Sequence, residues 1–432
     1  MKFKSKSFWS DTVSYPPQLA RGLLPETVDV AVIGAGFTGL SAARALAKSG
    51  ARVVVLEAES VGWGASSRNG GMVLTGLKLP AAKLIEKVGL DLARGMHSAS
   101  LESIDHVEQI VQEERIDCDF RRSGHLVVAC KSSHFDQLQR TAVTLTHDFL
   151  HQVRIVPRQE LGAEIGSEIY FGGLVDETSA GVNPARYVAG LAEAAKKAGA
   201  EIHEQTRVEH VELERRGASS GFRIETSRGR LCARDVFVAT SAYTGRAIPA
   251  LRRRIIPIGS YIIVTESIPD DLAFRLSPRN RMIYDSKNLL YYFRLTPDRR
   301  MLFGGRAAFS PDTPVTIRQS AQILHQGMLS VFPSLRHVAV EYAWGGTLDF
   351  TFDMLPHAGK IDGMYYAMGY AGHGVAMATY LGAKVAETIA GAKNDNPFSI
   401  LPFPRAPLGL CNGTPWFLPF AGAWYKLLDW AH

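Results

Sequence analysis

Cysteine is scarce in this chain, and Cys118, Cys130, Cys232 and Cys411 lie far apart, with no CxxC pair and no histidine at ligand spacing. That scatter argues against a disulfide scaffold and a zinc site, and makes a reducing cytoplasm the expected location. Long apolar runs are also missing: none is long enough to cross a bilayer, and the basic start MKFKSKSFWSDTVSYPP has no signal-peptide apolar core. Neither a membrane span nor export is therefore expected. The formal net charge is +6, yet the densest basic run is only Arg252, Arg253 and Arg254, and no basic stripe alternates with aromatics. This speaks against nucleic acid as a partner and leans toward anionic small molecules. No internal repeat or low-complexity segment is present.

What the chain does have is apolar residues and glycine. Of its 432 residues, 46% are hydrophobic, enough for two cores or one large one, and the 40 glycines cluster between apolar runs, where backbone comes close to a ligand. The clearest element is VDVAVI (28–33), a glycine turn, a helix from about Thr38 to Lys48, and RVVVLE (52–57), a βαβ unit of a buried parallel sheet. Helical periodicity covers 81–114 and about 133–149. Asn183 and Pro184 mark the start of a helix that Gly199 ends, and a later helix over about 375–390 stops at Gly391. Between about Ile255 and Val340 the texture turns to long β-type runs with one helix at about 318–332.

Gly34, Gly36 and Gly39 form a G-x-G-x-x-G between strand and helix. They permit a tight turn, close approach to a pyrophosphate and close helix–strand packing, with the phosphates at the helix N-terminus. Contacts are expected along Gly34, Ala35, Gly36, Phe37, Thr38 and Gly39, then from Glu57, placed to accept from a ribose diol, and Ala58. This motif alone does not separate FAD from NAD. Ala239, Thr240 and Ser241 end a later apolar strand, either as an ordinary turn or as a loop returning to the dinucleotide. Gly369, Gly372 and Gly374 precede the Val375 helix and aim its N-terminus at whatever lies there. Such a terminus would stabilise the negative charge of a reduced flavin ring, which NAD would not need. His373 is placed to donate to ring or substrate, or to serve as a structural donor within the loop.

GAGFTGLSAARALAKSGARVVVLEAE, GWGASSRNGG, DVFVATSAYTG, WGGTLDFTFDMLPHAG and GYAGHGV occur in this order. Together they resemble the FAD-dependent D-amino acid oxidase and glycine oxidase superfamily, closest to its gamma-glutamylputrescine oxidase branch. The resemblance implies FAD across the sheet, a substrate domain roofing it, and hydride transfer from an amine-bearing carbon to flavin N5. A carbonyl product, an amine and, with molecular oxygen as acceptor, hydrogen peroxide would follow. It also implies that the loop after Glu57 runs along FAD, bringing Ser66, Ser67, Arg68, Asn69, Gly70, Gly71 and Met72 to it. Further contacts are expected at Val208, Gly345 and Asp353. Some relatives tether flavin through a cysteine near the segment 344–356, which holds none here, so FAD should be non-covalent.

The resulting fold class is α/β: a Rossmann-like FAD-binding domain with an inserted, mostly antiparallel β (α+β) substrate domain. Expected boundaries are 27–90, 151–245 and 341–395 for the FAD domain, 91–150 for cap elements, 246–340 for the substrate domain and 396–432 for a tail folded back on its own domain. No metal is expected. Arg300 matches the strand-opening arginine that clamps the substrate carboxylate in amino-acid-oxidising relatives, or else faces water at a strand edge. Tyr261, Tyr291 and Tyr292 are candidates to wall the pocket, or else belong to the core. The expected substrate is an amine bearing a carboxylate: an N-substituted glycine, an imino diacid or a gamma-glutamylated polyamine. A dehydrogenase of the same fold and a non-catalytic flavin sensor are the alternatives, and the lack of a second G-x-G-x-x-G disfavours an NADPH hydroxylase.

Overall fold

The computed structural model describes residues 2–13, 22–216, 219–308, 313–393, 395–406, 416–417 and 420. Two eight-stranded sheets organise them. In the first, strands Thr27–Ile33 and Val53–Leu56 flank helix Phe37–Lys48 as the βαβ unit that the apolar runs predict. Glu201–His203 extends the parallel array beyond Val53–Leu56, while Gly229–Val238 and then Met364–Met368 extend it on the other side of Thr27–Ile33. The strand order therefore reverses next to Thr27–Ile33, and the crevice at such a reversal is where open α/β sheets bind ligands.

Each central strand is apolar on both sides because both sides are covered. Val30, Val32, Val53 and Val55 pack with helices Phe37–Lys48, Pro184–Lys197 and Gly374–Ile389. Ala31, Ile33, Val54 and Leu56 face a second layer containing Phe222, Ile224, Leu231 and Met364. Helices Phe37–Lys48 and Gly374–Ile389 cross at backbone distance: a Cβ on Gly382 would lie 2.3 Å from the Thr38 carbonyl oxygen. At this crossing Ser41 Oγ donates to the Thr379 carbonyl oxygen at 2.7 Å. Asn183 caps its helix as expected, its side chain accepting from Arg186 N at 3.2 Å.

The second sheet runs Val340–Phe350, Ile256–Ser267, Arg300–Ala308, Tyr292–Leu295, Met282–Asp285, His125–Val128, Gly172–Asp176 and Arg154–Pro157. It is antiparallel except where Met282–Asp285 meets His125–Val128. Three boundaries expected from sequence move. Strands Arg154–Pro157 and Gly172–Asp176 belong to this sheet and not to the middle FAD segment, and Val340–Phe350 forms its edge instead of opening the last one. Helix Leu90–Glu113, expected in the cap, buries Ala93, Met96, Ala99, Ile104 and Val107 in the core of the first domain. Periodicity identifies these elements but carries no information about which long-range partner each one pairs with.

The N-terminal arm joins both parts. Lys4 N donates to the Glu341 carbonyl oxygen at 2.8 Å, and Phe8 and Trp9 are buried with Ile262, Leu302, Tyr342 and Trp344. At the other terminus the described part of the tail folds back, with Phe398 buried and Phe403 stacked 4.5 Å from His357. The rest of the tail, 407–415, 418–419 and 421–432, lies outside the described residues, and Cys411 with it. No helix among the described residues is long and apolar enough to cross a membrane.

Because the Gly382 crossing leaves no room for a methyl group, Gly382→Ala should destabilise the protein by about 1–3 kcal/mol through overpacking. A thermal melt checks this: the variant's midpoint should fall, and an unchanged midpoint would show that the two helices separate without cost.

Candidate active site

The loop Gly62–Gly71 contains one short 3-10 turn, Ala65–Ser67, and its shape is imposed from outside. Four of its carbonyl oxygens accept side-chain donors from other parts of the chain. Ser67 O accepts from Ser7 Oγ at 2.9 Å, Arg68 O from Trp344 Nε1 at 2.9 Å, Asn69 O from Trp9 Nε1 at 2.8 Å and Gly71 O from Arg294 Nη1 at 2.6 Å. The Asn69 side chain closes the loop on itself, donating to Ala65 O at 3.0 Å and accepting from Gly71 N at 2.7 Å. At Gly71 φ is +67° and a Cβ would lie 2.1 Å from the Val182 carbonyl oxygen, so glycine is required there. Arg294 is buried, and burial lowers its pKa to about 10, with the Asp119 charge opposing the shift.

Held this way, the loop walls a cavity of about 600 Å³ at the reversal of strand order. Gly34, Ala35, Gly36, Phe37 and Thr38 line one side, Glu57, Ala58 and Val208 one end, and Ser66, Asn69, Ala239, Thr240, Gly372, Gly374 and Val375 the rest. Helix Phe37–Lys48 starts at Gly36 without a cap of its own, and Ser66 Oγ accepts from Phe37 N at 3.0 Å. A Cβ on Gly36 would lie 2.9 Å from that oxygen. Glu57 Oε2 accepts from Ala35 N at 2.8 Å and Oε1 from Glu59 N at 2.9 Å, while burial raises the carboxyl's pKa. Each carboxylate oxygen retains accepting capacity for a diol. Thr38 Oγ1 lies 2.8 Å from Tyr370 OH, tying the first glycine turn to the C-terminal one.

A second cavity of about 210 Å³ adjoins the first, sharing Ala65, Asn69, Thr347, Leu348, Gly372 and Val375. Arg68, Gly70, Met72, His373 and Tyr292 line it, and so do Leu74, Lys78, Ile258, Ser260, Tyr284, Leu290 and Phe350. Among the described residues no aspartate or glutamate does. The remaining contacts expected from sequence support the walls instead. Gly39 packs directly on the Gly34 carbonyl, Gly345 O receives Arg68 Nη1 at 3.4 Å, and Gly369 N donates to Asp349 Oδ2 at 2.6 Å. Ser67 and Gly71 act through the loop carbonyls described above.

Three expectations are corrected. Arg300 lines neither cavity: it opens its strand opposite Ser267, donating to the Thr265 carbonyl oxygen at 2.9 Å and pairing with Asp298 at 2.6 Å and Glu341 at 2.5 Å. Tyr261 lies on the opposite face of its strand from the chamber-lining Ser260, in the core with Phe293 and Phe303, and Tyr291 packs against the same core. Asp353 accepts from His357 Nε2 at 3.0 Å, outside both cavities. Asp349 stands where Asp353 was expected: it lines the larger cavity and accepts from Gly369 N and Tyr370 N, pinning the glycine loop. Strand alternation through Val340–Phe350 could have picked out Asp349, since Asp353 falls in the turn beyond. Nothing in the sequence marks Lys78.

Among the described residues no cluster of histidine, cysteine, aspartate and glutamate is arranged to hold a metal, and Cys118, Cys130 and Cys232 line neither cavity.

A family model described as DAO, FAD dependent oxidoreductase, matches residues 29–388. The chain is 36% identical over 373 residues to "Probable oxidoreductase OrdL" of Haemophilus influenzae, covering 85% of this chain and 84% of that protein. It is 32% identical over 406 residues to "Gamma-glutamylputrescine oxidoreductase" of Escherichia coli K12, covering 93% of each. Its fold is similar to that of glycine oxidase from Geobacillus kaustophilus, with a TM-score of 0.73 and 22% identity over 87% of this chain and 99% of that one.

Two variants test the geometry. Ser66→Ala removes the acceptor of the Phe37 amide and should cost about 0.5–2 kcal/mol, as lost helix caps do. Titration of the FAD-free protein with FAD should show weaker binding by about 3- to 30-fold. Arg300→Ala should leave substrate KM unchanged, and a large rise would return Arg300 to the site.

Proposed function

The chain belongs to the DAO family of FAD-dependent oxidoreductases, and from that premise we propose that it is an oxidase acting on the C–N bond of a primary or secondary amine that bears a carboxylate. The products would be a carbonyl compound, an amine and hydrogen peroxide. The observation that carries this reading is the chamber beside the cofactor cleft, which contains cations, hydroxyls and apolar walls but, among the described residues, no acid. A substrate presenting two ammonium groups and no anion would find nothing there to balance its charge.

The residues fit FAD. Gly34–Thr38 and Ser66 would take its phosphates and Glu57 a ribose, and helix Gly374–Ile389 presents its N-terminus to the cleft through Gly374 and Val375. Non-covalent attachment is consistent with the absence of cysteine from the segment 344–356. Bound there, FAD would supply the hydride acceptor.

Chamber side chains contribute position and polarity more than proton transfer. Burial drives the His373 imidazole down to about 3, with the Lys78 charge adding to the effect, so at neutral pH it is an uncharged ring. Tyr292, whose phenol burial pushes up to about 12, remains protonated and lies 3.2 Å from Ser260 Oγ. Neither group suits a general base near pH 7, which matches a reaction that needs the substrate amine already deprotonated and held in place.

Two measurements follow. Anaerobic addition of carboxylate-bearing amines should bleach the flavin band at roughly 450 nm, and in air one peroxide should form per amine consumed. Bleaching without peroxide would make the protein a dehydrogenase, and failure of every amine to bleach the flavin would leave a sensor. As pH rises the deprotonated fraction of the amine increases, so kcat/KM should climb about tenfold per pH unit below the substrate's pKa. No step should occur near the ordinary imidazole value of about 6.5; an inflection there would contradict a neutral His373.

A further inference from the structure

We propose that Lys78 is the anchor for the substrate's carboxylate, binding it at the chamber wall by charge-assisted hydrogen bonds from Nζ. The inference rests on the reading above and assigns to Lys78 the place that Arg300 does not fill. Lys78 lies just before helix Ala81–Val88 and lines the second cavity. Among the described residues its ammonium group has no hydrogen-bond or ion-pair partner, and none of the acids lines the chamber with it. Leu74, Ile258, Leu289, Leu290 and Phe350 supply apolar wall instead. Lys78 is half-buried and burial lowers its pKa, so an anion that meets its ammonium beside this wall gains a charge-assisted partner.

The other cation of the chamber is already occupied. Arg68 Nε donates to the Trp63 carbonyl oxygen at 2.8 Å and Nη1 to Gly345 O at 3.4 Å, and the guanidinium lies 4.8 Å from the Trp63 ring centre. A second group faces the same space: His373 Nδ1 is buried with no partner among the described residues, and the ring lies near enough to Lys78 to feel its charge. Lys78 Nζ and the neutral His373 ring thus give the chamber one side where an anion gains both charge and a hydrogen bond. The arrangement selects amines that carry a carboxylate over simple alkylamines.

The test uses the FAD-loaded protein and probes that need no turnover: butyrate and glutarate, with butyramide as the neutral control, each read by calorimetry and by perturbation of the flavin spectrum. The wild type should bind the carboxylates about 10- to 100-fold more tightly than the amide, the range expected of a hydrogen bond to a charged group. Lys78→Met should remove that preference and Lys78→Arg should keep it, with Lys78→Gln as a polar control that also loses it. Equal binding of butyrate and butyramide by the wild type, or an unchanged preference in Lys78→Met, would overturn the proposal. With an amine that turns over, Lys78→Met should raise KM for carboxylate-bearing amines alone. A fall in kcat at constant KM for every amine would move Lys78 into the chemical step and likewise overturn the anchor. The probes separate this inference from the proposed reaction: a carboxylate preference that depends on Lys78 stands even if no amine bleaches the flavin.

Discussion

The site depends on how the carbonyls of one glycine-rich loop are satisfied. A loop as polar as GWGASSRNGG has little regular structure to occupy its backbone acceptors, and an acceptor buried without a donor costs about 1–3 kcal/mol. Ser7, Trp9, Arg294 and Trp344 supply those donors from the N-terminal arm and from two strands of the second sheet. With its carbonyls turned toward these partners, the loop is held against the first domain, and Ser66 can cap the phosphate-side helix. The same contacts join the two sheets, so cofactor cleft and substrate chamber share a wall made of Ala65 and Asn69.

That shared wall ties the chemistry to the fold. Burial sets the protonation of the groups that line the chamber: a neutral His373, a protonated Tyr292 and a Lys78 ammonium with no partner among the described residues. Acid-free surroundings suit an anion-bearing amine, and the lack of a tuned base suits a reaction governed by position. Asp349, which lines the larger cavity, accepts from the amides of Gly369 and Tyr370 and shapes the C-terminal glycine turn.

Much of the cofactor cleft is legible in the amino-acid sequence, because each of its parts is local. A G-x-G-x-x-G needs only its own strand and helix to form, and the contacts expected at 34–38, Glu57, Ser66, Gly372, Gly374 and Val375 all line the larger cavity. The chamber is less legible. Arg300 and Tyr261 are plausible by residue type, but the register of Ile256–Ser267 against Arg300–Ala308 puts Arg300 at the strand's far end, and alternation turns Tyr261 to the back. Lys78 carries no signal of its own, because an isolated lysine before a helix is ordinary until a distant sheet closes over it.

By itself, the sequence determined the βαβ unit, a dinucleotide-binding turn and the presence of a second β-rich unit, since apolar periodicity and glycine spacing act over a few residues at a time. Only the tertiary structure decided which strands share the second sheet, that Asp349 and not Asp353 holds the glycine turn, and that Lys78 faces the chamber with no partner among the described residues. These depend on pairings between residues far apart in the chain, where shifting a strand by one position turns every side chain to the opposite face.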